Sequence, residues 1–275
     1  MKEKLLARIA DALDRLAPPP PTQSDLTAYP AYVWDGDDAR PVDAFSPADY
    51  ALLSGIDEQK GVLLENSRRH AAGLPAHDVL MWGARGTGKS ASVGAVVGQL
   101  QREGIDIALM QCAADQLPSL PHLFHRLRGT TRPFILFVDD LGFDEGSASG
   151  DARTLRSLLD GGASARPANV RLYVTSNRRH IVPRHLSEQD DPINQRDVVD
   201  DKLALSDRFG LSLGFHAINQ DAYLAIIEGY ARAYGLPFDP AAAVGWATRR
   251  GSRSGRVAWQ YVTELAGSEG RRLPR

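Results

Sequence analysis

The sequence has little cysteine and no long apolar run, and both deficits exclude classes of protein. Its single thiol, Cys112, can form neither an internal disulfide nor a cysteine-based metal site, and it ends an apolar run, so we expect it to be a buried core thiol. No apolar run approaches the roughly 18 residues that a membrane-spanning helix requires. The amino terminus carries charges throughout, which is not typical of a secretory signal. We therefore expect a cytoplasmic protein.

The chain also lacks a strong net charge. Its 32 Lys and Arg residues nearly balance 34 Asp and Glu residues, for a formal net charge of −2. The overall charge therefore gives no argument for binding to nucleic acid or to an anionic membrane. The chain has 275 residues, of which 43% are hydrophobic, enough for one large domain or two modest ones.

One stretch carries a recognisable chemistry. Residues 79–92, VLMWGARGTGKSAS, place an apolar run before a glycine-rich turn that fits the P-loop pattern GxxxxGK[ST]. Such a turn curls backbone N–H groups around phosphates, and the following helix adds its positive dipole end. We expect nucleotide to be bound by Gly83, Ala84, Arg85, Gly86, Thr87, Gly88, Lys89, Ser90 and Ala91, with Lys89 on the phosphates and the Ser90 hydroxyl on Mg²⁺.

Four further apolar runs predict strands of the same sheet. They cover residues 105–112, 134–140, 170–175 and 211–215, and helical patterns separate the earlier ones. Strands that alternate with helices form a parallel sheet, whose ligands lie at the carboxyl ends of the strands. We therefore predict an α/β fold of the P-loop NTPase type, a parallel sheet flanked by helices, followed by a small all-helical lid domain.

The run FILFVDD ends in Asp139 and Asp140, fifty residues after Lys89. A carboxylate that closes a buried strand beside a P-loop suits Mg²⁺, which prefers oxygen ligands. We assign Asp139 to the metal and Asp140 to the activation of a water molecule as general base.

The motifs GARGTGKS, FILFVDD, TSN and SDRFG, followed by a helical tail, resemble those of AAA+ ATPases over about residues 55–267. More narrowly, DDLGFDEG, LLDGG, TSNRRH and LSDRFG resemble a bacterial AAA+ family that has ATP-binding members and a domain of unknown function. The resemblance implies ATP and Mg²⁺ as cofactors, a homo-oligomer such as a ring, and a protein or nucleoprotein target.

The resemblance also assigns three residues outside the P-loop and the acidic pair. Asn177 matches the polar sensor 1 residue, which helps to position the lytic water. Arg208 matches the arginine finger that reaches a neighbouring subunit's nucleotide. Arg256 best matches the sensor 2 arginine of the lid, with Arg253 as its rival.

One departure from the AAA+ pattern bears on activity. Most active members end the acidic strand motif, here FILFVDD, in Asp-Glu, whereas this chain ends it in Asp139 and Asp140. Because the side chain of Asp140 is shorter than that of glutamate, we expect slow hydrolysis. Glu145 is the second candidate for the general base.

The sequence suggests four segments. We expect an amino-terminal amphipathic helix over 1–17, a proline-rich linker and irregular arm over 18–47, a nucleotide-binding domain over 48–215 and a helical lid over 216–275. We also expect Asp221 to cap the first lid helix, and the long acidic connection 180–204 to be functional or disordered.

Three functions fit these patterns. The first is an AAA+ ATPase that hydrolyses ATP to remodel or load a macromolecular partner, without a membrane role. The second is an ATP-dependent switch or loader with little turnover. The third, a small-molecule kinase, fits less well because it needs neither Asn177 nor Arg256. No [NT]KxD motif is present, which favours ATP over GTP.

Overall fold

The computed structural model of this chain describes residues 2, 4–6, 8, 23–141, 148–159, 166–177 and 207–273, with the backbone alone over 148–153. Three predictions lie wholly or mostly outside these residues: the amino-terminal helix over 1–17, Glu145 as a candidate base, and the connection 180–204. Within the described part of the amino terminus, residues 2, 4–6 and 8 are helical and exposed.

Seven strands form one sheet within the described residues. In spatial order they run β2-β1-β4-β5-β6-β3-β7, and all neighbours are parallel except β1 and β2. The strands are β1 (Ala31–Trp34), β2 (Ala39–Pro41), β3 (Val79–Gly83), β4 (Ala108–Cys112), β5 (Phe134–Val138), β6 (Val170–Ser176) and β7 (Leu211–Phe215).

Helices cover the sheet and form the carboxyl-terminal region. They are α1 (Asp57–Ala71), α2 (Lys89–Arg102), α3 (Leu120–Leu127), α4 (Ala148–Leu159), α5 (Gln220–Tyr234), α6 (Pro240–Arg250) and α7 (Gly255–Ser268), with short 3-10 turns at Tyr50–Leu52 and Ala114–Ser119. Within the described ranges, no helix combines the length and the apolar character needed to cross a bilayer.

Two apolar clusters lie on opposite faces of the sheet. Residues of α1 and α2 pack on one face and residues of α3 and α4 on the other, and every side chain of β5 is buried between them. Cys112 is buried in the second of these layers, as expected, and burial raises the pKa of its thiol to about 12. The predicted parallel sheet is confirmed.

The helices α5, α6 and α7 pack around a third cluster that includes Tyr223, Ile227 and Val262. Each of the three helices begins at a side chain that accepts a backbone N–H, which offsets the unpaired donors of the first turn. For α5 this cap is Asn219, whose Oδ1 accepts from the amide of Ala222 at 2.9 Å, and not Asp221 as predicted, since Asp221 lies within the first turn. The expected all-helical region is confirmed.

The expectation of an irregular surface arm is wrong for residues 31–41. Strand β1 pairs in parallel with β4, and β2 pairs with β1 to extend the sheet. Tyr32 and Trp34 are fully buried, and the Trp34 indole donates a 2.7 Å hydrogen bond to Ser119 Oγ. The strand is only four residues long and its stability comes from distant partners, so its local pattern was too short to recognise.

Candidate functional site

The loop between β3 and α2 has the backbone expected of a P-loop. Gly83 ends β3 at a φ of 137°, and a Cβ at this position would lie 1.9 Å from the carbonyl oxygen of Phe215 in β7. Only glycine therefore allows β3 and β7 to pair so closely where the chain turns. Gly88 precedes α2 at a φ of 102°, and the helix begins at Lys89.

Lys89 lies at the centre of the site and is only 5% exposed. Its Nζ donates hydrogen bonds to the carbonyl oxygens of Gly83 and Ala84, both at 2.8 Å, and to Oδ1 of Asn177 at 3.0 Å. Burial lowers the pKa of the ammonium, and the carboxylates of Asp139 and Asp140 oppose this shift. The positive charge is thus held at the carboxyl end of β3, where a phosphate would enter the loop.

Ser90 and Asp139 are brought together from different elements. The Ser90 hydroxyl donates to Oδ1 of Asp139 at 2.6 Å, and the hydroxyl of Thr175 donates to the same oxygen at 2.5 Å. These are hard oxygen donors of the type that Mg²⁺ uses together with water and phosphate oxygens. The described residues hold no group of three His, Cys, Asp or Glu side chains suited to a metal ion.

Thr175 is a site residue that sequence reasoning missed. Besides its bond to Asp139, its hydroxyl accepts the backbone N–H of Asp140 at 2.8 Å, and its carbonyl accepts the N–H of Leu141 at 2.9 Å. It is 1% exposed on β6. Its position two residues before Asn177, in the TSN motif, was the only available signal. Thr175 holds the backbone and one carboxylate of the acidic pair in place.

Asp140 has an unusual backbone and two polar partners. It is the non-glycine residue of the described chain with a left-handed backbone, at a φ of 54°, a conformation that aspartate tolerates better than most residues. Its Oδ1 accepts a short hydrogen bond from Nδ2 of Asn177. Its Oδ2 lies 3.6 Å from the guanidinium of Arg85. The carboxylate is therefore contacted on one side by the residue that follows β6 and on the other by the P-loop.

The helical region contacts the P-loop through the start of α7. The backbone N–H of Arg256 donates to the carbonyl oxygen of Gly86 at 3.2 Å. Ser254 caps α7 and is buried, and a Cβ on Gly86 would lie 2.9 Å from its hydroxyl. The charge of Arg256 adds to the lowering of the Lys89 pKa that burial causes.

The charge of Arg253, the rival of Arg256, acts on the helical cluster. Burial raises the pKa of the Tyr223 hydroxyl in the helical cluster, and the charge of Arg253 opposes that shift. The two arginines therefore lie in different electrostatic surroundings, with Arg256 at the P-loop.

Lys60 is a buried residue near the P-loop that the sequence did not reveal as part of the site. Nζ of Lys60 donates to the carbonyl oxygens of Leu53 at 2.8 Å and Tyr50 at 3.3 Å, and pairs with Asp57 at 2.9 Å. These bonds fix the segment that carries Ile56, whose Cδ1 lies 3.0 Å from the position of a Cβ on Gly88. An apolar side chain therefore borders the phosphate loop.

Arg208 precedes a strand, whereas Lys89, Asp140 and Asn177 each follow one. It lies three residues before β7, and β7 pairs with β3 so that Leu211 is opposite Val79 and Phe215 is opposite Gly83. Arg208 thus precedes the amino-terminal end of β7, and the length of β3 that separates this end from the level of Gly83 is about 13 Å at ~3.3 Å per residue. Its side chain is exposed.

Comparisons with known proteins agree with this architecture. The model of the family described as "Protein of unknown function (DUF815)" matches residues 27–269. No curated protein matches the sequence significantly.

Among solved structures, the chain resembles the ORC1 protein of Aeropyrum pernix in complex with DNA, at a TM-score of 0.56 and 16% identity over 85% of this chain and 68% of that one. It resembles the ORC2 protein of the same organism at a TM-score of 0.52 and 15% identity, over 82% and 68% of the two chains. It also resembles the RuvB Holliday junction branch migration motor of Thermotoga maritima, at a TM-score of 0.50 and 15% identity over 84% and 69%. At these identities the likeness establishes the fold alone, and that fold is the AAA+ fold, as expected.

Proposed function

The chain belongs to the DUF815 family and has an AAA+ fold, and from this premise we propose that it binds and hydrolyses Mg-ATP to remodel or load a macromolecular partner. One observation carries the proposal: side chains from the ends of β3, β5 and β6 converge within hydrogen-bonding distance. The links are Lys89 to Asn177, Asn177 to Asp140, and Ser90 to Asp139.

In this proposal the P-loop amides and the ammonium of Lys89 bind the phosphates of ATP. Mg²⁺, held by Ser90 and Asp139, would supply positive charge to the β- and γ-phosphate oxygens. Asp140 accepts a proton from water while the water oxygen forms a bond to the γ-phosphorus. The bond from that phosphorus to the bridging oxygen breaks, and its electron pair leaves with ADP. Asn177, which contacts Asp140 and Lys89, would orient the water between them.

The lid residue Arg256 is proposed to sense the phosphates. Its backbone bond to Gly86 and its electrostatic effect on Lys89 support this role over one for Arg253. A lid that contacts the P-loop through backbone atoms would change its position when the loop closes on a nucleotide.

Arg208 is proposed to act on the nucleotide of a second copy of the chain. Its position before β7, at the opposite end of the strands from the P-loop, and its exposure support action in trans. An arginine finger stabilises charge that develops in the transition state and is worth about 10³–10⁵ in turnover in GTPases. This role requires an oligomer.

The adenine base is proposed to lie near Ile56. This apolar side chain borders Gly88, and a Cβ on the neighbouring Gly55 would lie 3.9 Å from Cδ1 of Ile226 in the lid helix α5. A base placed here would contact both the sheet domain and the lid, which supports coupling between nucleotide binding and lid position.

A DNA-containing complex is the first class of partner to test. The similar ORC1 structure is a complex with DNA, and the similar RuvB protein is a Holliday junction branch migration motor. The test is a pull-down with the Asp140→Asn variant. This variant should bind ATP without hydrolysing it and should therefore retain the partner. If Lys89→Ala recovers the same partner equally well, nucleotide does not control the interaction.

An ATP-dependent switch with little turnover is the second candidate. Both carboxylate oxygens of Asp140 have partners within the chain, and its side chain is one methylene shorter than the usual glutamate. Steady-state Mg²⁺-dependent phosphate release, measured together with ATP binding, separates the two. Turnover that is lost in Lys89→Ala supports the ATPase, and tight binding with no measurable turnover supports the switch. Absence of both binding and turnover would refute the proposal.

A further inference from the structure

Arg85 is a feature of the P-loop that the proposed mechanism does not use. Its backbone belongs to the phosphate-binding loop, whereas its side chain extends from the loop toward the acidic pair that follows β5. There the guanidinium lies 3.6 Å from Oδ2 of Asp140. The P-loop thus carries a second cation in addition to Lys89, and this cation contacts the carboxylate proposed to activate water.

The ion pair between Arg85 and Asp140 is easily exchanged. The side chains are 74% and 53% exposed, and exposed pairs of this kind contribute little to stability because solvent and salt screen them. By contrast, Asn177, which donates to Oδ1 of the same carboxylate, directly follows the buried strand β6. A competing anion would therefore displace Arg85 from Asp140 before it displaced Asn177.

The position of Arg85 indicates which anion that would be. Arg85 contacts Asp140, and Lys89 contacts Asn177, whose amide also donates to Asp140, so the two cations lie at the same end of the loop. Asp140 and Asn177 lie at this end too, where the terminal phosphate of a triphosphate would meet the water-activating groups. Guanidinium binds phosphate through two parallel N–H groups, and a terminal phosphate carries more charge than a carboxylate.

We propose that Arg85 distinguishes ATP from ADP: it leaves Asp140 to bind the γ-phosphate, and so frees the carboxylate for the water. This inference rests on the proposed function and deepens it. ADP has no γ-phosphate, so with ADP the guanidinium stays on Asp140. The same exchange thus links recognition of the triphosphate to release of the general base.

The test compares the affinities of two nucleotides, each with Mg²⁺. The probes are ADP and the non-hydrolysable ATP analogue with an imido group between the β- and γ-phosphates, titrated by calorimetry. Arg85→Ala should weaken the analogue about tenfold and ADP less than twofold, because one charge-assisted contact is lost only from the triphosphate. Arg85→Lys should retain part of the preference, since it keeps the charge without the fork.

Arg102→Ala is the matched control. Arg102 is an exposed arginine that pairs with Asp49 at 3.8 Å, at the far end of α2 from the P-loop. Its removal should change neither affinity. If Arg85→Ala weakens both nucleotides equally, or neither, the inference is wrong even though the proposed function stands. If the wild-type chain binds neither nucleotide, the proposed function itself fails.

A double-mutant cycle tests the exchange of partners. Asp140→Asn removes the competitor for Arg85 and should strengthen binding of the analogue severalfold. The gain should be clearly smaller when Arg85→Ala is also present, because there is then no guanidinium to release. Equal gains in both backgrounds would mean that Arg85 and Asp140 act independently, and would overturn the exchange.

Discussion

Nζ of Lys89 donates a 3.0 Å hydrogen bond to Oδ1 of Asn177, while Nδ2 of the same amide donates to Asp140. A single side chain at the end of β6 therefore connects the P-loop after β3 with the acidic pair after β5. The three strands are neighbours in the order β5-β6-β3, so the connecting residue comes from the middle strand. If Lys89 moves when it binds phosphate, the amide of Asn177 would transmit this movement to Asp140.

Replacement of Asn177 should impair the chemical step more than nucleotide binding. We expect Asn177→Ala to lower kcat by ~10²-fold, since one preorganised polar contact near the reacting phosphate is lost, and to change KM for ATP little. Steady-state ATPase assays check this. Asn169→Ala is the control, because Asn169 lies at the other end of β6 and its amide donates to the carbonyl oxygens of Leu127, Thr130 and Arg132. It should lower thermal stability and leave kcat unchanged.

Arg208→Ala should preserve ATP binding and abolish most turnover. Mixing this variant with inactive Lys89→Ala should restore part of the activity, because a mixed oligomer combines an intact P-loop with an intact Arg208 from the neighbouring chain. Phosphate release by the mixture, compared with each variant alone, is the measurement. A mixture that stays as inactive as its components would argue against action in trans.

Gly86→Ala should separate the lid from the P-loop. The new Cβ would lie 2.9 Å from Ser254 Oγ and 3.2 Å from Cβ of Arg256, at a φ of 76°. We expect ATP affinity to fall at least tenfold, because the start of α7 must move. Gly104→Ala carries the same backbone strain, at a φ of 79°, with no atom within 4 Å, and should only destabilise the fold by about 1–2 kcal/mol. Equal ATP affinities in the two variants would contradict the proposed contact.

His70 should make the fold sensitive to mild acid. Burial, followed by the charge of Arg171, lowers its pKa to about 4, below the value of 6.5 for a free histidine. The unfolded chain therefore binds a proton in the range from pH 6.5 to 4 that the folded chain does not. The stability that neutral His70 contributes is therefore complete only above about pH 6.5. The free energy of unfolding should fall by about 2 kcal/mol between pH 7 and pH 5.

Urea unfolding of wild type and His70→Gln at the two pH values isolates this effect. Between the two pH values, the free energy of unfolding should fall by about 2 kcal/mol less in His70→Gln than in wild type, although the variant is less stable at pH 7. His125→Gln, a change at an exposed histidine of α3, should keep the wild-type pH dependence. A wild-type slope in His70→Gln would show that another group is responsible.

Much of the sheet could be predicted because its strands are continuous apolar runs. The predicted strand over 211–215 coincides with β7, and the run from Phe134 begins where β5 begins. The structure ends β5 at Val138, so the acidic pair follows the strand and does not belong to it. The left-handed backbone of Asp140 explains this end, because such a conformation cannot continue a strand.

The amino-acid sequence by itself determined the P-loop, the order of buried strands and the helical carboxyl-terminal region, because each is encoded in local spacing of glycine, apolar and capping residues. Tertiary structure alone decided which distant groups meet. It added β1 and β2 to the sheet, placed Thr175 on both acidic residues, and put Arg85 on Asp140. It also placed Arg208 before β7, at the opposite end of the strands from the P-loop. These relationships join residues tens of positions apart, and only the register of parallel strands specifies them.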